Sequence, residues 1–279
     1  MENYILSNGV AIPKIGLGTW HNTDEDTVED TILNALKIGY THIDTAAVYG
    51  NEKYIGDAII KSGVPRENLF ITSKVWKTEY GYQNTLRAFE KTISDLQVDY
   101  LDLYLIHWPC SPSRREDWAE INAETWHAIE DLYKAQKIKS IGVSNFWNHH
   151  LDALLNIANI PPMVNQIEHH PGYRQQEVVE YCRQNNILVE AWSPLGRGMV
   201  LHDPTLTKIA QKYNATVAQV CVAWCIQDGI LPLPKSTQYD RLKSNIEGVS
   251  LTLAQEDIDT INDMNLGSSS GSYPDAVAF

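Results

Sequence analysis

LFITSKVWKTEYGYQNTLRAFEKTISDLQVDYLDLYLIH, residues 69–107, contains a strand-like run, a helix-spaced run and a second strand-like run in succession. LFITSK (69–74) and LDLYLIH (101–107) are largely apolar or β-branched until a final ionisable residue, Lys74 in the first and His107 in the second. THID (41–44) repeats the pattern upstream, ending on Asp44 with Tyr49 just beyond. In a parallel β/α barrel the strand ends converge on one face, where catalytic side chains sit. The four residues therefore read together as an active site.

The alternation extends outward from that unit. Strand-like runs recur at IGLG (near 15), THID, LFITSK, LDLYLIH, KSIGVS (from 139), MVNQIE (from 163), LVEAWS (from 188) and ILPLPKS (from 230), eight in all. Helix-spaced stretches separate them. In TVEDTILNALKI, Val28, Ile32, Leu33 and Leu36 share one stripe, Asp24 supplies a start signal and Gly39 a stop. This predicts an α/β fold, a closed (β/α)8 TIM barrel with helices outside. YILSNGVAIPKI reads as an N-terminal β-hairpin capping the barrel floor, and DPTLTKIAQKYN as an extra helix after strand seven. LTLAQEDIDTINDMN reads as a last helix and GSSSGSYPDAVAF as a flexible tail. No Pro/Gly/Ser-rich linker divides the chain, so residues 1–279 are expected to form a single domain. A doubly wound open sheet is the structural rival, disfavoured by the even spacing.

Composition narrows the function classes. At 279 residues and 43% hydrophobic content the chain can bury a large core. No apolar run approaches a membrane span, and MENYILSNGV lacks the marks of a signal peptide, so a cytoplasmic protein without membrane contact is expected. Lys and Arg number 22 against 35 Asp and Glu, and the net charge of -13 repels phosphate backbones, so nucleic acid is not an expected partner. An anionic ligand must be held by a local basic cluster. Cys110, Cys182, Cys221 and Cys225 show no disulfide framework; Cys221 and Cys225, one helical turn apart, read as buried small side chains rather than metal ligands.

GLGTW (16–20), HIDTAAVYGNE (42–52), ITSKVW (71–76), YLIHWP (104–109), IGVSNF (141–146), NQIEHHP (165–171), AWSPLGRG (191–198) and PKS followed by Arg241 lie at characteristic mutual spacings. Through them, over nearly its whole length, the chain resembles the aldo-keto reductase superfamily, especially short bacterial members related to diketogluconate, xylose and aldose reductases. The resemblance implies an NADP(H)-dependent oxidoreductase that reduces aldehydes and ketones to alcohols, with Asp44, Tyr49, Lys74 and His107 as its catalytic tetrad. The residue types suit that chemistry. Hydride delivered to a carbonyl carbon leaves charge on oxygen, so an acid must donate a proton as that charge appears. Tyr49 is the expected acid; a free phenol has a pKa near ~10, and a buried ammonium beside it, from Lys74, is expected to lower that value. Asp44 would keep Lys74 charged and oriented, and His107 would hydrogen-bond the substrate oxygen. Singly, each has a plainer reading: Asp44 as a cap, Tyr49 as packing, Lys74 as a snorkelling charge, His107 as a satisfied core histidine. Jointly, the catalytic reading prevails.

No GxGxxG follows the first strand, which excludes a Rossmann turn. The resemblance implies instead a dinucleotide extended over strands five to eight. Ser144, Asn145 and Gln166 would meet the nicotinamide carboxamide and Trp192 would stack on its ring. Ser193, Leu195 and Gly196 would meet the pyrophosphate, with Arg197 adding charge. Lys235, Ser236, Thr237 and Arg241 would surround the 2′-phosphate of NADP, and Asn245 would contact the adenine. Gly18, Thr19 and Asp44 would border the cofactor at the first strand ends. The plainer readings make Asn165 and Gln166 buried amides tying strands and Trp192 a core aromatic. Ser244 stands where many relatives carry Gln or Glu, a departure from the family pattern.

Trp20, Trp76 and Trp108 follow strands one, three and four and would line an apolar pocket around Tyr49 and His107 for a small carbonyl substrate. The loop CSPSRREDWAEIN (110–122) and the tail from Gly267 to Phe279 are the family's variable walls; Arg114 and Arg115 read as solvated. Relatives suggest a monomer or a loose homodimer. Two alternatives belong to other classes. One is a cofactor-holding regulatory subunit, as reductase-like β subunits of potassium channels illustrate. The other is a metal-dependent hydrolase using His42, His107, His169 and His170, disfavoured because adjacent His169 and His170 point apart if extended; no metal site is expected.

Overall fold

The computed structural model describes residues 3–109, 115–266, 269 and 271–276. Cys110, Arg114, Gly267 and Phe279 lie outside the described residues. A two-stranded antiparallel hairpin, β1 (Asn3–Ile5) and β2 (Ala11–Pro13), precedes the main sheet. Eight parallel strands then follow in chain order: β3 (Leu17–Gly18), β4 (His42–Asp44), β5 (Phe70–Val75), β6 (Leu103–Ile106), β7 (Ile141–Ser144), β8 (Val164–Glu168), β9 (Leu188–Trp192) and β10 (Leu231–Leu233). Gly16 N donates to Pro232 O at 3.1 Å and Gly18 N to Pro234 O at 3.2 Å, joining β3 to β10 and closing the ring. The expected (β/α)8 barrel is the observed one.

The seam explains two glycines. A Cβ on Gly16 would lie 2.5 Å from Leu233 Cδ2 and 2.6 Å from His42 Nδ1, and one on Gly18 would lie 3.0 Å from Leu233 O. A side chain at Gly16 would hold the two strands apart.

Among the described residues, ten α-helices alternate with or follow the strands: α1 (Glu25–Ile38), α2 (Glu52–Ser62), α3 (Tyr82–Leu96), α4 (Trp118–Lys134), α5 (Asn148–Leu155), α6 (Gln176–Gln184), α7 (Pro204–Lys212), α8 (Val217–Gln227), α9 (Tyr239–Glu247) and α10 (Gln255–Asn262). Asp24 starts α1 by accepting Thr27 N at 2.9 Å, and Gly39, at φ 113°, ends it in the left-handed conformation that Gly adopts without steric cost. Val28 and Ile32 on the inner stripe are fully buried, each worth roughly 1.5–3 kcal/mol relative to exposure. The extra helix expected after the seventh barrel strand is α7, capped by Asp203 with Pro204 at its first position.

The hairpin seals the floor. Ile12 is fully buried, Tyr4 Oη donates to Ile226 O at 3.1 Å, and Asn8 Nδ2 donates to Lys139 O, just before β7, at 2.9 Å. Cys182 on α6 and Cys221 and Cys225 on α8 are buried free thiols. Asp275 is held against α5: its Oδ1 lies 3.1 Å from His149 Nε2 and 2.9 Å from His150 Nε2. His150 Nδ1 accepts Trp147 N, so the neutral ring carries its proton on Nε2, toward Asp275. Among the described residues, no helix is long and apolar enough to cross a membrane.

Candidate active site

Asp44 ends β4, Lys74 lies near the end of β5 and His107 immediately follows β6, so parallel pairing in register delivers all three to one rim of the barrel. Tyr49 reaches the same rim from a single 3-10 turn, Ala47–Tyr49, which Gly50 closes at φ 69°. Lys74 Nζ, fully buried, donates to Asp44 Oδ1 at 2.7 Å and to Thr45 O at 2.8 Å. It lies 5.3 Å from the centre of the Tyr49 ring. The His107 ring meets Tyr49 edge-on at 5.7 Å and Trp76 edge-on at 5.1 Å.

Charge states follow from these surroundings. Burial pulls the Lys74 pKa down, but Asp44, Tyr49 and Glu190 outweigh it, and the net direction is upward, so Lys74 is an ammonium. Burial, reinforced by Lys74 and Lys77, pushes His107 well below the usual imidazole range, so it is neutral. Tyr49 corrects the sequence expectation. Burial raises its phenol, and the opposing pull of Lys74 does not bring it below its ordinary value. The ammonium offsets part of the desolvation cost of a phenolate rather than making the phenol a stronger acid than in water.

A buried amide that sequence reasoning did not single out braces this rim. Asn51 Nδ2 donates to Thr19 O at 3.0 Å and Asn22 O at 2.8 Å, and its Oδ1 accepts Thr45 Oγ1 at 2.8 Å. Thr19 in turn donates from N (3.1 Å) and Oγ1 (2.9 Å) to Asp44 O. The loop after β3 is thus tied to the end of β4, and Thr19 contributes its hydroxyl to that tie.

Strand ends β7 to β9 hold a second polar set. Asn145, at φ 64°, donates from Nδ2 to His107 O at 2.9 Å and to Ser144 Oγ at 3.0 Å, while its Oδ1 accepts Trp192 Nε1 at 2.8 Å. Ser144 Oγ donates to Gln166 O at 2.8 Å. Asn145 and Ser144 are therefore engaged with the protein itself, orienting the Trp192 ring and the residue that bears the His107 side chain. Asn165 ties strands, donating from Nδ2 to Phe146 O at 2.9 Å. Its neighbour Gln166 instead projects into the barrel, donating from Nε2 to Asp44 Oδ2 and to Glu190 Oε2, both at 2.8 Å. Glu190, buried in mid-β9, was also missed from sequence; a carboxyl inside an otherwise apolar parallel strand is the signal that marks it.

Beyond β9 the chain turns sharply, with Ser193 at φ 49°, Gly196 at 52° and Arg197 at 52°, while Leu195 is half-buried. The Arg197 guanidinium lies 4.4 Å over the Trp20 ring and 5.7 Å over that of Trp192, bridging the mouth. Past β10, Ser236 Oγ accepts Gln238 N at 3.1 Å and donates in a long bond to Gln238 O at 3.5 Å, with Thr237 alongside. Lys235 and Arg241 are exposed on either side of this turn, Asn245 is buried on α9, and Ser244 Oγ lies 3.1 Å from Thr216 Oγ1. Trp20 is exposed, Trp76 half-buried and Trp108 buried.

The other three histidines of the hydrolase alternative have separate partners. His42 Nε2 lies 3.0 Å from Thr72 Oγ1, His169 Nδ1 2.8 Å from Arg174 O, and His170 Nε2 3.3 Å from Glu168 Oε1. They do not converge with His107.

The family model described as "Aldo/keto reductase family" matches residues 14–266. The chain is 47% identical over 274 residues to a glyoxal reductase of Bacillus subtilis strain 168, covering 98% of this chain and 96% of that protein. Among solved structures it is similar to an aldo-keto reductase from a Medee basin deep-sea metagenome library, with a TM-score of 0.93 and 40% identity over 99% of this chain and 100% of the other. It is similar also to a Bombyx mori aldo-keto reductase in complex with NADP, with a TM-score of 0.89 and 34% identity over 97% and 94% of the two chains.

Proposed function

This chain belongs to the aldo/keto reductase family, and from that premise we propose that it reduces aldehydes and ketones to alcohols with NADPH, Tyr49 giving the proton. The observation that carries the reading is the apposition of the Tyr49 and His107 rings beside the buried Lys74–Asp44 pair. Neutral His107 and phenolic Tyr49 are both donors for one carbonyl oxygen, which orients it and meets the charge that develops there. Tyr49 releases its proton to that oxygen, and the resulting phenolate is stabilised by the Lys74 ammonium, itself held by Asp44. Solvent then reprotonates Tyr49. Trp20, Trp76 and Trp108 supply apolar walls for the carbon body of the substrate.

The residues present fit a phosphorylated dinucleotide. Gln166 offers Oε1, which meets no donor among the described residues, as an acceptor for a carboxamide. Trp192 offers a ring face fixed by Asn145, while Gly18 presents no side chain at the mouth. Lys235, Ser236, Thr237 and Arg241 offer two cations and hydroxyls for a 2′-phosphate, with Asn245 for the adenine. Ser193, Leu195, Gly196 and Arg197 form the turn for the pyrophosphate. When bound, the dinucleotide supplies the hydride. The relative named glyoxal reductase and the relative solved with NADP support this reading.

Its test is NADPH oxidation with 4-nitrobenzaldehyde and small dicarbonyls, comparing wild type with Tyr49→Phe. Loss of the proton donor is expected to lower turnover by roughly 10² to 10⁴, while quenching of tryptophan fluorescence by NADPH persists. Turnover by Tyr49→Phe at the wild-type rate would remove Tyr49 from the mechanism. Cofactor binding without turnover in the wild type would favour the regulatory-subunit reading.

A further inference from the structure

Glu190 is a buried carboxyl that the reaction above does not use. It lies in mid-β9, fully enclosed, between the buried apolar residues Val189 and Ala191. Its Oε2 accepts one amide proton of Gln166 at 2.8 Å, and Asp44 Oδ2 accepts from the same nitrogen at 2.8 Å. Turning the Gln166 amide over would set its oxygen against two carboxyl groups, so the pair of acceptors fixes which end of the amide is left for a ligand. Glu190 Oε1 has no partner among the described residues. A buried carboxylate is normally surrounded by donors, and this carboxyl has one.

We propose that Glu190 is a positioning residue that works in its protonated form: it locks Gln166 with its carbonyl oxygen presented as the acceptor for the nicotinamide carboxamide, and it keeps the floor of the site free of a second negative charge. The proposal rests on the reductase reading above.

The surroundings favour the neutral acid. Burial pushes the Glu190 pKa up to about 8, with Asp44 adding to the rise and the Gln166 bond and Lys74 opposing it. Asp44 from β4 and Lys74 from β5 are the charged groups that act on it across the barrel. On the flanking strands, β8 brings Gln166, while Glu168 is bonded to His170; β10 places Leu231 in register with Glu190. His42, further down β4, is held on Thr72. While Glu190 is protonated, Lys74 and Asp44 cancel. Ionised Glu190 adds a negative charge that opposes both the charge developing on substrate oxygen and the phenolate left on Tyr49. Turnover should therefore fall on the alkaline side as Glu190 loses its proton. Stability is linked in the same sense. The folded pKa is raised from 4.5 to about 8, so the neutral acid's contribution is full below pH 4.5 and is lost as pH rises through about 8.

The experiment compares wild type with Glu190→Gln and Glu190→Leu, measuring kcat, KM for NADPH and NADPH binding by fluorescence quenching between pH 6 and 10, and melting temperature without cofactor between pH 4.5 and 10. Glu190→Gln keeps an acceptor for Gln166 and cannot ionise. It should bind NADPH like wild type, keep its turnover at pH 7, and hold that turnover where wild type has dropped about tenfold, one pH unit above its midpoint. Glu190→Leu should lose the clamp, weakening NADPH binding roughly three- to tenfold with a smaller change in kcat. Without cofactor, both variants should gain melting temperature over wild type progressively between pH 4.5 and about 8. A Glu190→Gln profile with the wild-type alkaline fall, or a Glu190→Leu variant that folds and binds NADPH as tightly as wild type, overturns the proposal. If wild type itself neither binds NADPH nor reduces aldehydes, the reductase reading fails instead, and the cofactor-free melting series still reports whether Glu190 is held neutral.

Discussion

The barrel interior and the basic rim after β10 both carry ionic groups, and they differ in what holds them. Inside, Lys74, Asp44, Gln166 and Glu190 are linked through contacts of 2.7–2.8 Å, away from water. Charges there cannot be left unpaired, because desolvation costs several kcal/mol per ion, so their arrangement is set before any ligand arrives. On the rim, Lys235 and Arg241 are exposed and form no ion pair among the described residues. Their charges stay hydrated at little cost, and on the proposed reading the anionic ligand supplies their geometry. On the proposed reading the interior serves chemistry on an uncharged group, and the rim captures an anion against a net charge of -13.

The strongest way to break this contrast is Lys74→Met. It leaves Asp44 buried without its cation, so stability should fall by about 3–5 kcal/mol in urea unfolding, and turnover should disappear. Lys74→Met combined with Asp44→Leu should regain most of that stability and none of the turnover. A double variant no more stable than the single would mean that the pair is not what the interior depends on.

The rim should respond more gently and only through the ligand. Arg241→Ala is expected to raise KM for NADPH roughly tenfold, leave NADH kinetics and thermal stability unchanged, and matter less at high salt as screening weakens the wild-type contact. Equal losses with both cofactors would move Arg241 away from the 2′-phosphate.

The smallest expected effect sharpens the interior side of the contrast. Burial lowers His42 and His169 to about 3 and His150 to about 4. As pH falls below 6.5 the unfolded chain takes up protons that the folded one refuses, so stability should decline steadily toward pH 4. His169 stacks on Trp224 at 4.7 Å and 8°. His169→Phe keeps an aromatic ring there and should flatten the acid side of a plot of melting temperature against pH by a few degrees. An unchanged slope would show that His169 is not among the groups responsible.

The elements were legible because each is a local pattern. α1 announces itself through Asp24, its apolar stripe and Gly39, and the barrel strands through short apolar runs ending in polar residues. Asp44, Tyr49, Lys74 and His107 could be placed at one rim because a parallel barrel leaves strand ends nowhere else to go. What the sequence concealed depends on partners far apart along the chain. In sequence, Asn145 reads as a ligand contact alone, but its amide also ties together His107, Ser144 and Trp192. Asn51 sits inside a motif read for its tyrosine and becomes a brace only when Thr19 and Asn22 fold over it. Tyr49 illustrates a question of magnitude. The nearby ammonium was foreseeable, but the desolvation opposing it depends on how completely the site encloses the phenol.

The seam where Gly16 and Gly18 bond to Pro232 and Pro234 also bears on the order of assembly. It joins strands from opposite ends of the chain, the strand pairing of greatest loop-closure cost and hence one expected late in folding. Gly18 on one side and Lys235 and Ser236 on the other, all proposed to border the dinucleotide, meet across that join. A chain still being synthesised has neither half of this border in place beside the other, so tight NADPH capture becomes a signal that the last strand has docked. Added during refolding, the dinucleotide would act as a clasp that slows reopening of the ring.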